Sequence, residues 1–336
     1  MKVFLGLKHS HEYWMRYGMQ PPWGSYGSSR LAVPKPTRAR PPYKKIPDTA
    51  AIKELGLPAG LSGDAFHLMV ADKESVTKTS SFYCTIWDAP NPGAFTKIDD
   101  IYHILSPEAC FVMVAHKYAN HTIPRNVAIL KAALYGFMLC GRYATNPLSG
   151  ETNYGRHALT TPEKLTSFAN RCNAISGIAI AKKALKLVLP NAASPAEAKL
   201  ALSLCAPSSL GGHNLPKPTL NAEVSIPSPK RRGFGKNKYV CDFLWEGTKK
   251  IALEYDSELY HTGKLRIAQD TTRRNNLLDL GITVYGATSE QTRNPEAIEL
   301  LAKQISKGIG HRHVISMSEF SQRKYELWRT LYSGKG

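Results

Sequence analysis

Residues 239–285, YVCDFLWEGTKKIALEYDSELYHTGKLRIAQDTTRRNNLLDLGITVY, read as two strands, a third strand or loop edge, a helix and a further strand. From 251 to 256 the apolar residues Ile251, Leu253 and Tyr255 alternate with Ala252, Glu254 and Asp256. Side chains alternate faces along a strand, so Glu254 and Asp256 share a face while the opposite, apolar face is buried. Asp242 lies just inside the preceding apolar run. Carboxylates on one strand face repel each other and are rarely buried unpaired. A hard divalent cation, Mg²⁺ or Mn²⁺, would relieve that repulsion through oxygen ligands. The stretch is therefore expected to be a metal-dependent phosphodiesterase centre, with the rest of the chain as its support and its grip on nucleic acid.

Composition points to the same class of partner. The chain has 336 residues, 43% of them hydrophobic, enough for two domains or one large one with appendages. Its 44 Lys+Arg against 26 Asp+Glu give a formal charge of +18, which favours a polyanion such as DNA or RNA. A merely basic cytosolic protein is the alternative. Cys84, Cys110, Cys140, Cys172, Cys205 and Cys241 are scattered in apolar surroundings without a CxxC pair. They are expected to be reduced core residues in a cytoplasmic protein, with no zinc site. No long uncharged apolar run predicts a membrane span. The apolar core of MKVFLGLKHSHEYW is too short for a secretory signal.

Outward from the centre, residues 265–280 read as a helix ended by Gly281, with Asp270, Arg273 and Arg274 on one face. That trio is either a surface ion-pair cluster or a grip on a phosphate or carboxylate. ITVYGAT is a strand, 295–307 a helix, and 311–336 a basic, aromatic tail. On the other side, 220–226 reads as a strand. The Gly- and Pro-containing segment PSPKRRGFGKNK follows as a flexible, hairpin-like connection carrying Lys230, Arg231, Arg232, Lys236 and Lys238. These cations either hold phosphates beside the acidic centre or decorate a solvated tip.

Helix starts recur upstream, each a hydroxyl N-cap followed by proline: Ser106-Pro107, Thr161-Pro162 and Ser194-Pro195. The first opens CFVMVAHKYA. The second opens a helical segment running towards Leu189. The third adds Glu197 in a capping box. Residues 125–140 form a further helix closed by Gly141, so the middle of the chain is mostly helical. FHLMVA, SSFYCTIW and KIDDIYHIL read as strands. Residues 1–48 form a basic, proline- and aromatic-rich arm that either lies on nucleic acid or packs its aromatics on the body.

The string from Asp242 through Glu254-Tyr255-Asp256, His261, Asp270, Arg273 and Gly281 resembles the endonuclease-like domain related to very-short-patch repair nucleases, within the PD-(D/E)XK superfamily. Ser257 stands where that pattern usually has glycine. The resemblance spans residues 194–310. It implies an α+β (α/β) chain: a restriction-endonuclease-like mixed β-sheet flanked by helices over 191–310, after an N-terminal mixed, largely helical domain over 49–190. It also implies Asp242 and Glu254, with Asp256, as metal ligands, and Glu197 as an additional acid unless the capping box alone accounts for it. Asp256 stands where many members carry lysine, and a carboxylate cannot supply that positive charge. His261 would then act as general base or position the water, unless it is a surface histidine. Lys249 and Lys250 are fallback cations. The region around IDDIYHILSPEACFVMVA and the helix at 125–140 resembles antitoxin-like proteins of type IV abortive-infection systems, without the winged helix with which those begin.

Two functions follow. One is a Mg²⁺-dependent endonuclease acting on DNA in repair or phage defence, or on RNA. The other is a catalytically inactive, nucleic-acid-binding regulator or antitoxin-like protein, with a toxin or defence component as partner.

Overall fold

A computed structural model describes residues 2–16, 36–37, 65–76, 82–87, 90–146, 150–173, 175–256, 264–312 and 318–333. The chain has an α+β fold and divides into two compact units, Met1–Val188 and Leu189–Lys335.

The first unit opens with β1 (Val3–Leu5) and α1 (Leu7–Arg16). Residues 2–16 of the expected basic arm follow the second of its two readings, packing on the body of the unit. Trp14 is fully buried and its indole Nε1 donates to Leu105 O at 2.7 Å. Then come β2 (Pro36–Thr37), β3 (Phe66–Val70), β4 (Phe82–Ile86), β5 (Phe95–Lys97) and β6 (Tyr102–Leu105). They join β1 in a mixed sheet of order β2-β5-β6-β1-β3-β4. β1 runs parallel to β6 and antiparallel to β3. Phe4, Leu5, Phe82, Phe95, Ile104 and Leu105 are buried, so the sheet carries the unit's core.

α2 (Pro107–Ala119) and α3 (Arg125–Cys140) are apolar around most of their circumference, as buried helices are. Ser106 caps α2 by accepting from Ala109 N. A hairpin of β7 (Tyr143–Thr145) and β8 (Thr152–Tyr154) leads to α4 (Pro162–Arg171), capped by Thr161, and α5 (Ile178–Leu185). The sequence predicts a helical segment from Pro162 towards Leu189, and the structure breaks it after Arg171. Gly177 precedes α5 at φ 88°, and a Cβ there would meet Ala115 O at 2.5 Å. Only glycine allows that turn and that approach to α2.

The second unit begins with α6 (Pro195–Cys205) and a 3₁₀ turn, Ser208–Leu210. β9 (Thr219–Ser225), α7 (Ser228–Phe234), β10 (Lys238–Trp245) and β11 (Lys250–Asp256) follow. α8 (Lys264–Asp279) then crosses to β12 (Ile282–Thr288). The sheet order is β12-β11-β10-β9: an antiparallel meander, with β12 parallel to β11 because the helix returns the chain to the same end. α9 (Ser289–Thr292), α10 (Pro295–Gly308) and α11 (Phe320–Tyr332) complete the unit.

One expectation is corrected in this unit. The basic connection at 228–234 is a helical turn rather than a flexible hairpin tip. Pro229 sits in its first turn, where a missing N–H is tolerated, and Gly235 closes it at φ 65°. Phe234 anchors it against the core. The basic, aromatic C-terminal segment carries a packed helix. Phe320, Leu327 and Leu331 are buried as α11 packs on α6, α10 and the 3₁₀ turn. Among the described residues, no helix is long and apolar enough to cross a membrane.

Candidate functional site

The middle of the four-stranded sheet carries a local irregularity. β9 and β10 keep a constant register on both sides of Asn221 and Asp242, yet these two residues do not pair. Asn221 has φ 49°, a left-handed conformation that asparagine tolerates better than most residues. Tyr239, Cys241 and Ala222 share a packed cluster with Leu244, Ala252 and Leu277, whereas Leu220 and Phe243 lie outside it. Side-chain alternation therefore slips at Asn221 and Asp242 on both strands, with no residue inserted in either.

The same slip governs the pairing with β11. Its ladder runs Trp245↔Ile251, Leu244↔Ala252 and Phe243↔Leu253. Beyond it, the Tyr255 N–H donates to the Asp242 carboxylate, with Oδ2 at 2.8 Å. Asp242 is thus drawn toward β11. The neighbouring Glu254 is part-buried and receives Arg273 from α8, whose Nη2 lies 2.9 and 3.0 Å from the two carboxylate oxygens. Nη2 also donates to Val240 O, and the guanidinium sits 5.6 Å from the centre of the Tyr239 ring. The Asn276 amide donates to Tyr239 Oη at 2.7 Å, which steadies that ring.

The third acid approaches from α6. Glu197 is buried and accepts from Ala193 N, Ser194 Oγ and Asn221 Nδ2 at 2.9, 2.9 and 2.7 Å. The Ser194 hydroxyl in turn accepts from Glu197 N. Ser194 therefore caps α6 as expected, but the capping box is not completed: the Glu197 carboxylate accepts from Ala193 N and Ser194 Oγ instead of the Ser194 main-chain N–H. Glu197 is also linked, through Asn221, to the strand irregularity that places Asp242.

Electrostatics couple the three acids. Burial raises the pKa of Asp242, with the Tyr255 N–H and Arg273 pulling it back. Glu254 is raised by burial first and by the charge of Asp242 second, against the pull of Arg273. Glu197 is raised mainly by burial, with Asp242 adding to the shift. The Cys241 thiol is pushed up to about 12 by burial and then by Glu254. Asp242 and Glu254 are hard oxygen donors on adjacent strands, the charge of Asp242 acts on Glu254, and two such carboxylates suit a divalent cation. Among the described residues, no three His, Cys, Asp or Glu side chains are grouped so as to hold a metal ion. Mg²⁺ is commonly held by one or two carboxylates, with water and substrate phosphate completing its shell, so the pair fits that ion.

The remaining expected residues are more dispersed. Asp256 is exposed at the end of β11, beside Thr288 of β12. His261 lies outside the described residues. Lys250 pairs with Glu246 at 3.1 Å across the β10–β11 turn. Asp270 and Arg274 are exposed on α8. The expected cluster on that helix is replaced by the Arg273–Glu254 contact, because Arg273 faces the sheet. Among the expected phosphate contacts, Lys230 pairs with Asp279 at 2.7 Å and Lys238 with Glu223 at 2.6 Å. Arg231 Nε donates to Ile226 O, Lys236 Nζ sits 4.6 Å from the Tyr239 ring centre, and Arg232 is exposed. Sequence patterning does not single out Asn221. Its signal is an asparagine inside an otherwise regular strand pattern, opposite an aspartate.

No family model, no curated protein and no solved structure matches the chain.

Proposed function

We propose that the Leu189–Lys335 unit is a metal-dependent endonuclease that hydrolyses phosphodiester bonds, DNA being the first substrate to test. The observation that carries this reading is the placement of Asp242 and Glu254 on adjacent strands, with the charge of Asp242 acting on the half-buried Glu254 carboxylate. The unit's mixed sheet with flanking helices is the architecture that the PD-(D/E)XK resemblance implies. A bound Mg²⁺ or Mn²⁺ would supply Lewis-acid polarisation of the scissile phosphate and activation of a water. Asp242 and Glu254 would hold it. Asn221 and the Tyr255 N–H fix the strand geometry that presents Asp242, and Glu197 locks α6 to that point. Arg232 and Lys236 on and beside α7 would hold the backbone without reading sequence, as phosphate contacts do. His261 remains the proposed water-positioning group. A reducing, cytoplasmic setting fits the six free cysteines.

The test is cleavage of plasmid DNA, with single-stranded RNA in parallel, by the purified chain in Mg²⁺ or Mn²⁺. Asp242→Asn and Glu254→Gln should abolish cutting and preserve binding. Equal cutting by either variant would refute the assignment.

A second reading has its own support. Arg273 already bonds both oxygens of Glu254, the charge state expected of a nuclease fold retained only for binding. An antitoxin-like regulator of this kind, partnered by a toxin or another defence component, would bind nucleic acid tightly with no cutting in any divalent metal.

A further inference from the structure

We propose that Arg273 is a built-in counter-cation occupying the divalent ion's side of Glu254, so that loading the ion requires its displacement. The inference rests on the reading of Asp242 and Glu254 as the ion's ligands.

The geometry of the contact sets it apart from a permanent structural bridge. A strong arginine–carboxylate pair uses two guanidinium nitrogens against two oxygens in a parallel fork. Here the single nitrogen Nη2 serves both Glu254 oxygens and also Val240 O. Two N–H hydrogens serve three acceptors, so one hydrogen is divided between two oxygens and the parallel fork is not formed. Neither partner is sealed from water: the Arg273 and Glu254 side chains retain 32% and 22% of their exposure.

The arginine also has somewhere to stay when it lets go. Val240 O and the face of Tyr239 contact it independently of Glu254. Tyr239 is itself held by Asn276. A displaced guanidinium therefore keeps a hydrogen bond and a cation–π seat, and its freed N–H groups can meet a phosphate oxygen. Like-charge repulsion between Asp242 and Glu254 supplies the need for a cation at all times. Arg273 meets that need before the ion arrives. It acts through Glu254 and is a positioning residue.

The experiment is calorimetric titration of MnCl₂ into the full chain, comparing wild type with Arg273→Gln, Arg273→Met, Arg273→Lys and Glu254→Gln. Removing a competing charge at a part-exposed site should tighten Mn²⁺ binding about tenfold in both neutral variants. Arg273→Lys keeps the charge and should stay within about threefold of wild type. The gain should vanish in Arg273→Gln/Glu254→Gln. Methionine is the second neutral choice because it keeps an unbranched apolar stem against Tyr239, and one folded neutral variant suffices. Thermal melting with and without MnCl₂ gives an independent readout, with a larger upward shift in the neutral variants. If wild type binds Mn²⁺ through Glu254 and the neutral variants bind no more tightly, the counter-cation is refuted and the endonuclease reading stands. If no form binds Mn²⁺, or Glu254→Gln binds like wild type, the ligand assignment fails and takes the counter-cation with it.

Discussion

Acidification should unfold the Met1–Val188 unit at a pH where most proteins remain folded, because three of its histidines are held neutral. His9 and His67 are buried between β1, α1 and β3, and His11 lies one helical turn from Lys8 on α1. His9 Nδ1 accepts from His67 N, and His67 Nδ1 accepts from Lys8 N, while His67 Nε2 meets Thr85 Oγ1 at 2.8 Å. A protonated ring would have no acceptor for those main-chain N–H groups. Burial, followed by the charge of Lys8, lowers His9 to about 4. Burial, then Arg156, lowers His11 to about 4. Burial, then His9 and Lys117, lowers His67 to about 3. In the unfolded chain each ring titrates near its ordinary value of 6.5. Below 6.5 the unfolded state therefore binds more protons. Stability is intact above 6.5, falls as pH drops from there toward 4 for His9 and His11 and toward 3 for His67, and levels out below. At 1.36 kcal/mol per unit, about 1.5 units of acidification below 6.5 costs about 2 kcal/mol per ring, on the order of 6 kcal/mol for the three. That approaches the whole stability of an ordinary domain, about 5–15 kcal/mol. The assay is urea denaturation at about pH 8, 6.5 and 5. A Trp245→Phe/Trp328→Phe background leaves Trp14, Trp23 and Trp87 to report on this unit. His67→Gln should reduce the slope of stability against pH by about one proton. Unfolding free energies at pH 8 and pH 5 that agree within about 1 kcal/mol would refute the reasoning.

Gly211→Ala should loosen the C-terminal helix. Gly211 has φ 89° and a Cβ there would lie 2.1 Å from Arg323 O, so about 2–4 kcal/mol of stability should be lost. Hydrogen exchange should accelerate first across Phe320–Tyr332, and unchanged protection there would contradict the packing described. Replacing Lys230, Arg232 and Lys236 together by alanine should flatten the dependence of log binding constant on log salt by about 0.9 for each phosphate that is no longer neutralised. Fluorescence anisotropy with a DNA duplex across a NaCl series measures this, and an unaltered slope would take α7 out of the nucleic-acid path.

Most of the fold is legible where local chemistry decides local structure. Ser106, Thr161 and Ser194 each precede a proline that tolerates the first helical turn, and each caps the helix expected of it. The alternation from Ile251 to Asp256 marks a strand, and Gly281, at φ 78°, ends the helix before β12. Tertiary contacts decide the rest. Nothing local in MKVFLGLKHS announces that Val3–Leu5 pairs with Tyr102, His103 and Ile104, about a hundred positions along the chain. The stretch 228–234 carries Gly and Pro, which favour loops in isolation, and the anchoring of Phe234 against Tyr239 turns it helical. The helical stretch from Pro162 breaks because Gly177 must clear a carbonyl of α2, a neighbour that the local pattern does not reveal.

The site shows where a period-two argument stops. Alternation within β11 correctly puts Glu254 and Asp256 on one face, which makes them the natural pair. A face is shared along its whole length, however, while burial changes along it. Ala252 is fully buried, Glu254 is intermediate and Asp256 is exposed. The partner that senses Glu254 is Asp242, on the next strand, and regular alternation through Val240, Cys241 and Asp242 does not predict where it points. Asn221 in the left-handed region and the Tyr255 N–H turned to a carboxylate set that direction. Both are cross-strand facts. Arg273 follows the same logic. The helical spacing of Asp270 and Arg273 offers a local ion pair, but an arginine on the sheet-facing side of α8 meets a more strongly negative partner in Glu254, whose field includes Asp242. The charge it neutralises is visible in the sequence, and the direction from which it arrives is not.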